Sequence, residues 1–243
     1  LSYVIFKPGL VISANAYGGT SLLRMLAATP LLQPIMFGDR RLQTIAAHDV
    51  ADAVAFALAA PELARREFDL VEREPHALEE IVLCVRAWLG FAPPAAIVRA
   101  PRWLGFLIAR GADAFGWLGW RSPLRTNALK VLDKDVLGDA VAWINATGRE
   151  IGDLEQTLAA LPATAQERLY ARAQLAYPLL LAMLSAFWIV SGVIGALQLE
   201  RGIAVLAATP LSPFAALFVL GGATADVLIG LSLLFRPLTR ASA

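Results

Sequence analysis

Tyr3 and Lys7 are four residues apart, a spacing at which a phenol and an ammonium group could cooperate in proton transfer. On one face of a helix the two side chains would lie about 6 Å apart, and the ammonium group would lower the pKa of the phenol. Residues 2–6 are β-prone, however, so we expect a buried strand that ends in a turn at Lys7-Pro8-Gly9. Four residues of strand separate two side chains by about 13 Å. The sequence therefore predicts no catalytic Tyr–Lys pair at this position.

The residue types and their spacing give little support for a metal site, a dinucleotide-binding loop or a nucleophilic triad. The single cysteine, Cys84, excludes an internal disulfide and a Cys-rich zinc site, and His48 and His76 are far apart in the sequence, so we expect no metal site. Gly18-Gly19 precedes a helix-like stretch but lacks the third glycine and the preceding strand of a dinucleotide-binding loop. Ser, His and Asp are too scattered for a nucleophilic triad. We therefore name no catalytic residue and no metal ligand.

Asp226 is the single ionisable residue in the apolar stretch 202–235. About 20 apolar residues cross a bilayer core, so residues 213–235 are a candidate span, as are the charge-free residues 173–199. An ionisable group at that depth is a candidate intramembrane polar site, which could pair within a bundle, relay a proton or contact a quinone-like ligand. The alternative is a structural Asp226 that bonds to Thr224 or to the first span.

The flanks of the two spans predict an orientation. Arg168 and Arg172 precede the first span, and Arg236 and Arg240 follow the second. The positive-inside rule then places both flanks in the cytoplasm, with the soluble part facing the cytoplasm at the inner membrane. The apolar residues 203–209 are too short to cross and suggest a surface or re-entrant helix. Two buried helices of a soluble protein are the alternative, although core helices rarely stay free of charge for this length.

The composition is the average of two unlike parts. The 243 residues are 58% hydrophobic and only 17% charged, against about 25% charged in an ordinary soluble domain. Residues 1–160 nevertheless hold 16 of the 21 basic and 17 of the 20 acidic residues, so that part is typical of a soluble domain. The net charge of +1 gives no electrostatic indication of a nucleic-acid partner.

Short apolar strands alternate with helices in the front part, which indicates an α/β domain. We expect strands at residues 42–47, 67–71 and 95–98, and helices at residues 50–60 and 75–89. Asp49 is expected to cap the first of these helices, and Gly90 to end the second. Two to four strands are fewer than a doubly wound domain needs, so we interpret the chain as the later portion of a longer protein.

Residues 102–120 contain three tryptophans and two phenylalanines. One interpretation is an interfacial helix whose aromatic side chains lie at the level of lipid headgroups. We favour the alternative, a helix that packs on the α/β core or lines its substrate cleft, because Arg110, Asp113 and several glycines interrupt a clean amphipathic stripe.

Several segments resemble one family in matching order. Residues 5–11 resemble the strand with the pattern Arg-Pro-Gly-x-Val-x-Gly in extended and atypical short-chain dehydrogenase/reductases, a superfamily that includes NAD-dependent epimerases and dehydratases. Residues 45–51 and 68–71 resemble the next helix entry and strand of that family. Residues 166–172 and 187–192 resemble the DoxX-like membrane domain that is fused to some bacterial members.

The resemblance implies an incomplete Rossmann-like domain at residues 1–100, a helical linker at 101–165 and an all-α, DoxX-like transmembrane domain at 166–243. In the family the glycine-rich loop and the catalytic Tyr and Lys would precede Leu1. DoxX-like domains resemble four-helix bundles, so the two spans here suggest that the chain is truncated at both ends.

The resemblance also implies NAD or NADP as cofactor. Pro8, Gly9, Leu10 and Val11 match the stretch whose backbone lies beside the nicotinamide in the family. Lys7 stands where the family usually has Arg, and Ser13 stands where it usually has Gly.

The function that these observations favour is a membrane-anchored, NAD(P)-dependent oxidoreductase or epimerase with a small-molecule substrate and membrane lipid as its surroundings. One alternative is a non-catalytic nucleotide-binding assembly subunit, similar to the short-chain dehydrogenase-like accessory subunit of respiratory complex I. Another is a transport component, against which the two spans and the single intramembrane charge argue.

Overall fold

The structure is a computed structural model that describes residues 3–15, 18–120, 126, 129–130 and 133–238. The chain divides into two compact units. The first, here called the α/β unit, comprises Leu1–Asp113 and Pro123–Leu175. The second, called the helical unit, comprises Ala114–Ser122 and Ala176–Ala243. The chain is therefore a mixed α/β protein with a separate helical part.

Parallel strand pairs form the centre of the α/β unit. β1 (Ile5–Pro8) pairs with β6 (Glu67–Leu70), β2 (Leu10–Ile12) with β5 (Thr44–Ala46), and β3 (Leu32–Ile35) with β8 (Ala96–Arg99). β4 (Arg41–Leu42) pairs antiparallel with β7 (His76–Ala77). Parallel pairing requires crossover connections, which is why helices separate these strands along the chain.

Helices cover both faces of these strands, because successive side chains of a strand point in opposite directions. Ile12 belongs to a buried cluster that includes α1 (Gly19–Ala27), α3 (Leu78–Trp88) and α6 (Leu154–Ala159). Val11, the residue before it, packs against a second cluster, which includes α2 (Ala47–Ala59) and α5 (Ala140–Thr147). The α/β unit therefore has a helix–sheet–helix layering.

The expected helix at residues 75–89 is confirmed in its core-facing pattern. α3 buries Leu78, Ile81, Val82 and Val85, and Leu89 follows as its buried C-terminal cap. Gly90 comes next with φ +73°, a left-handed conformation that favours glycine at a helix end.

Two local expectations are wrong. α2 begins at Ala47 with Ala46 as N-cap, so Asp49 lies inside the first turn rather than at the cap. There the Asp49 carboxylate still interacts favourably with the helix dipole. Lys7-Pro8-Gly9 is not a turn either, because the chain continues from β1 directly into β2.

Pro8 can occupy the strand because the N–H groups of Ile5 and Gly9 donate to the carbonyl oxygens of Arg66 and Leu70. Alternate residues of a strand donate to one neighbour, and Pro8 lies one position before the donor Gly9, so its missing N–H leaves no gap in that ladder.

The helical unit is built around two long apolar helices. α7 (Ala165–Leu197) enters it from the α/β unit, and α8 (Leu199–Leu206) connects α7 to α9 (Ala215–Leu234). α7 and α9 are long and apolar enough to cross a membrane, and their most apolar windows are only 11% and 17% buried. Such low burial is not that of core helices in a soluble protein, which would be mostly covered by other protein.

Small residues allow α7 and α9 to approach closely. A Cβ atom at Gly192 would lie 2.4 Å from the carbonyl oxygen of Ala223, and one at Gly230 would lie 2.9 Å from that of Ser185. The Ser185 hydroxyl donates to the Gly230 carbonyl oxygen at 2.7 Å. Close backbone contact of this kind is typical of helix pairs in membranes.

Candidate functional site

An open cleft of about 600 Å³ lies at the carboxyl ends of the parallel strands β3 and β8. The residues after β3 form one wall, the residues after β8 form a second, and the first turns of α3 form the third. The lining residues are Ile35, Phe37, Gly38, Asp39, Ala77, Glu79, Glu80, Leu83, Arg99, Ala100, Pro101 and Arg102. Because ligands of open α/β sheets bind outside the carboxyl ends of strands, this cleft is the candidate substrate site.

Two guanidinium groups supply the positive charge of the cleft. The Arg102 guanidinium stacks over the ring of Phe37 at 5.2 Å and lies 3.5 Å from the Asp133 carboxylate. The Arg99 side chain is 86% exposed and lies 3.9 Å from the Glu79 carboxylate. Arg102 is therefore held in one orientation by its neighbours, whereas Arg99 remains free to turn toward a ligand.

The backbone of the β3–β4 connection holds the start of α3 in place. The N–H groups of Leu78 and Glu79 donate to the carbonyl oxygens of Arg40 at 2.8 Å and Gly38 at 3.1 Å. A Cβ atom at Gly38 would lie 3.1 Å from the Glu79 carboxylate, so Gly38 is in close contact with this wall.

The lining groups can bind and orient a polar small molecule. Guanidinium groups recognise carboxylates or phosphates through paired hydrogen bonds, and carboxylates accept hydrogen bonds from hydroxyl groups. Among the lining residues that the structure describes, the carboxylates of Asp39, Glu79 and Glu80 are candidate proton acceptors.

The predicted cofactor-binding residues Pro8, Gly9, Leu10 and Val11 lie at the end of β1 and in β2. The Gly9 N–H donates to the Leu70 carbonyl oxygen at 3.1 Å. The Leu10 N–H donates to the Gln43 carbonyl oxygen at 2.9 Å. The pairing partner therefore changes from β6 to the β4–β5 region at Gly9, as the register of the two pairs also shows. These four residues do not line the cleft at β3 and β8.

Gly9 has no room for a side chain. A Cβ atom there would lie 2.4 Å from the Gln43 carbonyl oxygen and 2.9 Å from Cγ1 of Val71. The close approach of neighbouring backbone is therefore enough to require glycine at this position, whatever lies on its open side.

Arg24, which was not predicted from the sequence, fixes the loop after β2. Its Nη2 donates to the carbonyl oxygens of Ser13 at 2.8 Å and Ala14 at 3.0 Å, and its guanidinium lies 4.9 Å from the Trp88 ring centre. Burial lowers the pKa of Arg24, and the nearby Glu167 carboxylate opposes that shift. A charged residue within the apolar stretch of α1 is the signal that could have identified it.

The buried Glu72 carboxylate was also missed. It is 1% exposed and accepts hydrogen bonds from the N–H groups of Thr44 at 2.6 Å and Leu154 at 2.8 Å, with His76 Nε2 at 3.2 Å. Glu72 therefore ties β5 to the first turn of α6, which makes it a structural residue of the α/β unit.

Asp226 forms a polar pair in the helical unit. The Ser191 hydroxyl donates to Asp226 Oδ2 at 3.0 Å and so joins α7 to α9. Of the two roles that the sequence left open, this contact matches the structural one, a bond from Asp226 to the first span.

The strand expected at residues 2–6 is confirmed only in part. β1 includes Lys7 but begins at Ile5, after Tyr3, and its residues are mostly exposed rather than buried. The Lys7 ammonium group pairs with Glu67 on the neighbouring strand, and this hydrogen bond raises the pKa of Lys7. Among the described residues no group of three or more His, Cys, Asp or Glu side chains is arranged to hold a metal ion.

Comparison with known proteins gives only distant likeness. No family model matches the sequence, and no curated protein matches it. Among solved structures, the protein named gox2253 matches with a TM-score of 0.42 and 14% identity, over 70% of this chain and 50% of that one. A UDP-glucose 4-epimerase of Thermotoga maritima, crystallised with UDP-glucose, matches with a TM-score of 0.36 and 12% identity, over 73% of this chain and 46% of that one. The chain spans about half the length of these two proteins.

Proposed function

We propose that the chain is the substrate-side part of a membrane-attached, NAD(P)-dependent oxidoreductase or epimerase of the short-chain dehydrogenase type. The observation that carries this proposal is the open cleft at the carboxyl ends of β3 and β8, with Arg99 and Arg102 at its rim. Strand ends of parallel pairs are where α/β enzymes place their substrates. The mixed charge of the cleft suits a polar small molecule with hydroxyl groups and one anionic group.

The stretch Pro8–Val11 is proposed to form the wall beside the nicotinamide. Pro8 is exposed, and the side-chain position of Gly9 faces Gln43 and Val71, so a flat ring could lie against the opposite side of this backbone. The loop after β2 is held by Arg24 and lies at the carboxyl end of its strand, where dinucleotides bind in such folds. A bound nicotinamide would supply a hydride donor or acceptor. The residues of this chain would orient it and exclude water.

The resemblance assigns the dinucleotide loop and the catalytic Tyr and Lys to sequence that comes before the segments matched here. In this proposal the chain therefore contributes recognition and positioning, and the proton transfer belongs to that earlier part.

The helical unit is proposed to attach the protein to the inner membrane through α7 and α9. The cytoplasmic orientation of the α/β unit is supported by the arginines that flank the two spans, Arg168 and Arg172 before the first and Arg236 after the second.

Titration of NADH and NADPH into the complete protein in lipid nanodiscs tests the proposal. Binding should give a saturable increase in nicotinamide fluorescence with one of the two cofactors, and an excess of the matching oxidised cofactor should reverse it. Empty nanodiscs are the control. Absence of saturable binding of both cofactors to a folded protein would overturn the proposal.

A further inference from the structure

α4 (Arg102–Trp117) presents large apolar side chains to its surroundings rather than to the core. Trp103 is 68% exposed, Leu107 is 62% exposed and Trp117 is 90% exposed. Ile108 is also exposed, at 49%. Several large apolar residues exposed on one helix point to an interaction site, whereas single exposed apolar residues need no explanation.

The opposite side of α4 is occupied by small residues. Gly105 and Ala109 are the buried residues of the helix, and a Cβ atom at Gly105 would lie 1.9 Å from Cε of Met36. α4 therefore packs on the α/β unit through these small residues and Phe106, and directs its tryptophans outward. An ordinary helix on a soluble protein has the reverse distribution, with its largest apolar residues facing the core.

The charges of the exposed side of α4 are all positive. Arg102 and Arg110 are its exposed charged residues, and the one acidic residue of the helix, Asp113, is only partly exposed. A long arginine side chain can lie along apolar surface while its guanidinium reaches phosphate groups. This combination of tryptophans and arginines complements an anionic lipid surface.

The end of α4 continues into the segment that packs on the end of α9. Within the helical unit, the Trp120 indole N–H donates to the Leu234 carbonyl oxygen at 2.7 Å, and the Arg236 N–H donates to that of Leu118 at 3.0 Å. The Trp120 ring also lies 5.8 Å from the Tyr177 ring. Trp and Tyr concentrate where spans meet water. The chain that follows α4 is therefore attached at a membrane boundary, if α9 spans the bilayer.

We propose that α4 is an in-plane interfacial helix, whose exposed Trp103, Leu107 and Trp117 insert into the headgroup layer of an anionic phospholipid membrane. The proposal rests on the membrane attachment proposed above and adds a second contact to it. Arg102 is held at the cleft by Phe37 and Asp133, so Arg110 is the residue proposed to bind the lipid phosphates, and the α/β unit is thereby held against the membrane surface.

Spin labels at single cysteines test the proposal. Cys84 is the only native cysteine, so Cys84→Ser gives a background to which Leu107→Cys, Leu58→Cys or Leu217→Cys is added. Leu58 on α2 is an 85% exposed leucine of the α/β unit, and Leu217 on α9 is a 69% exposed leucine of a proposed span. The full chain is reconstituted into nanodiscs that contain anionic phosphatidylglycerol. The accessibility of each label to oxygen and to a water-soluble nickel chelate is then measured.

We expect the labels at Leu107 and Leu217 to be more accessible to oxygen than to nickel, and the label at Leu58 to show the reverse. The Leu107 label should lie about 5–10 Å into the boundary between headgroups and acyl chains. If Leu107 behaves like Leu58 while Leu217 reports lipid, the interfacial helix is wrong and the membrane attachment stands. If Leu107 is shielded from both reagents, protein covers α4 and the proposal is equally wrong. If Leu217 reports water, the membrane attachment itself fails.

Discussion

The hydroxyl of Ser191 donates a hydrogen bond to Oδ2 of Asp226 at 3.0 Å and links the two long apolar helices. Polar contacts of this kind between membrane helices contribute about 0.6 kcal/mol on average. The only carboxylate of α9, that of Asp226, thus has a structural partner on α7. Substitution of either residue tests whether the role of Asp226 is structural.

If Asp226 is structural, Ser191→Ala should destabilise the helical unit by about 0.6 kcal/mol, and Asp226→Asn, which keeps an acceptor oxygen, should cost less. The unfolding of each variant in detergent micelles measures the effect. The reverse order, with Ser191→Ala neutral and Asp226→Asn costly, would show that the carboxylate serves a group other than Ser191.

Gly9→Ala should destabilise the α/β unit by about 1–3 kcal/mol, because the added Cβ would meet the Gln43 carbonyl oxygen at 2.4 Å. Gly111→Ala is the matched control, since nothing lies within 4 Å of its added Cβ. Alanine has the higher helix propensity, so the control should be stabilising by about 0.5–1 kcal/mol. Thermal unfolding of both variants checks the pair, and a Gly9→Ala variant as stable as the control would contradict the close approach.

Arg102→Gln should weaken the binding of any anionic ligand in the cleft about tenfold or more, because a hydrogen bond to a charged group contributes about 1.5–3 kcal/mol. Arg73→Gln is the control, since Arg73 forms an exposed ion pair with Glu150 away from the cleft lining. Small polar anions are screened by the shift they cause in the unfolding temperature, and the hits are titrated calorimetrically. Equal affinities for the two variants would exclude the cleft as the binding site.

Cys84 should react slowly with thiol reagents. Burial raises the pKa of the Cys84 thiol, and the carboxylates of Glu155 and Glu80 add to that shift. The thiolate is the reactive form, so its fraction at pH 8 is smaller than that of an unperturbed cysteine. The pH dependence of the rate of alkylation should have a higher midpoint in the folded protein than in urea. A midpoint at or below that of the unfolded chain would contradict this environment.

Periodicity within one segment was sufficient to predict the mixed α/β character and the inward face of α3. The pattern of Leu78, Ile81, Val82 and Val85 follows from local spacing alone, as do the two apolar helices. Helix starts were less predictable. An aspartate is favourable both as an N-cap and in the first turn, so Asp49 alone does not show that α2 begins at Ala47. The turn expected at Pro8 was wrong because the pairing of β1 with β6, some 60 residues later, keeps the chain extended.

The cleft could not be predicted from sequence, since its walls come from segments far apart in the chain. Arg102 reaches it only because β8 pairs with β3, which brings Phe37 beneath the guanidinium. No local sequence pattern indicates that β3 pairs with β8. Arg24 could not be predicted for the same reason. Its guanidinium donates to carbonyl oxygens of the loop that precedes α1, and this contact forms only in the folded chain.

Hydrogen–deuterium exchange of the complete protein, with and without saturating NADH or NADPH, tests the central proposal most directly. Bound cofactor should slow exchange in peptides covering residues 8–15, where Pro8–Val11 and the following loop would face the nicotinamide. Peptides from α9 should remain unchanged and serve as the internal control. Binding of cofactor with no protection in residues 8–15 would contradict the role assigned to this chain.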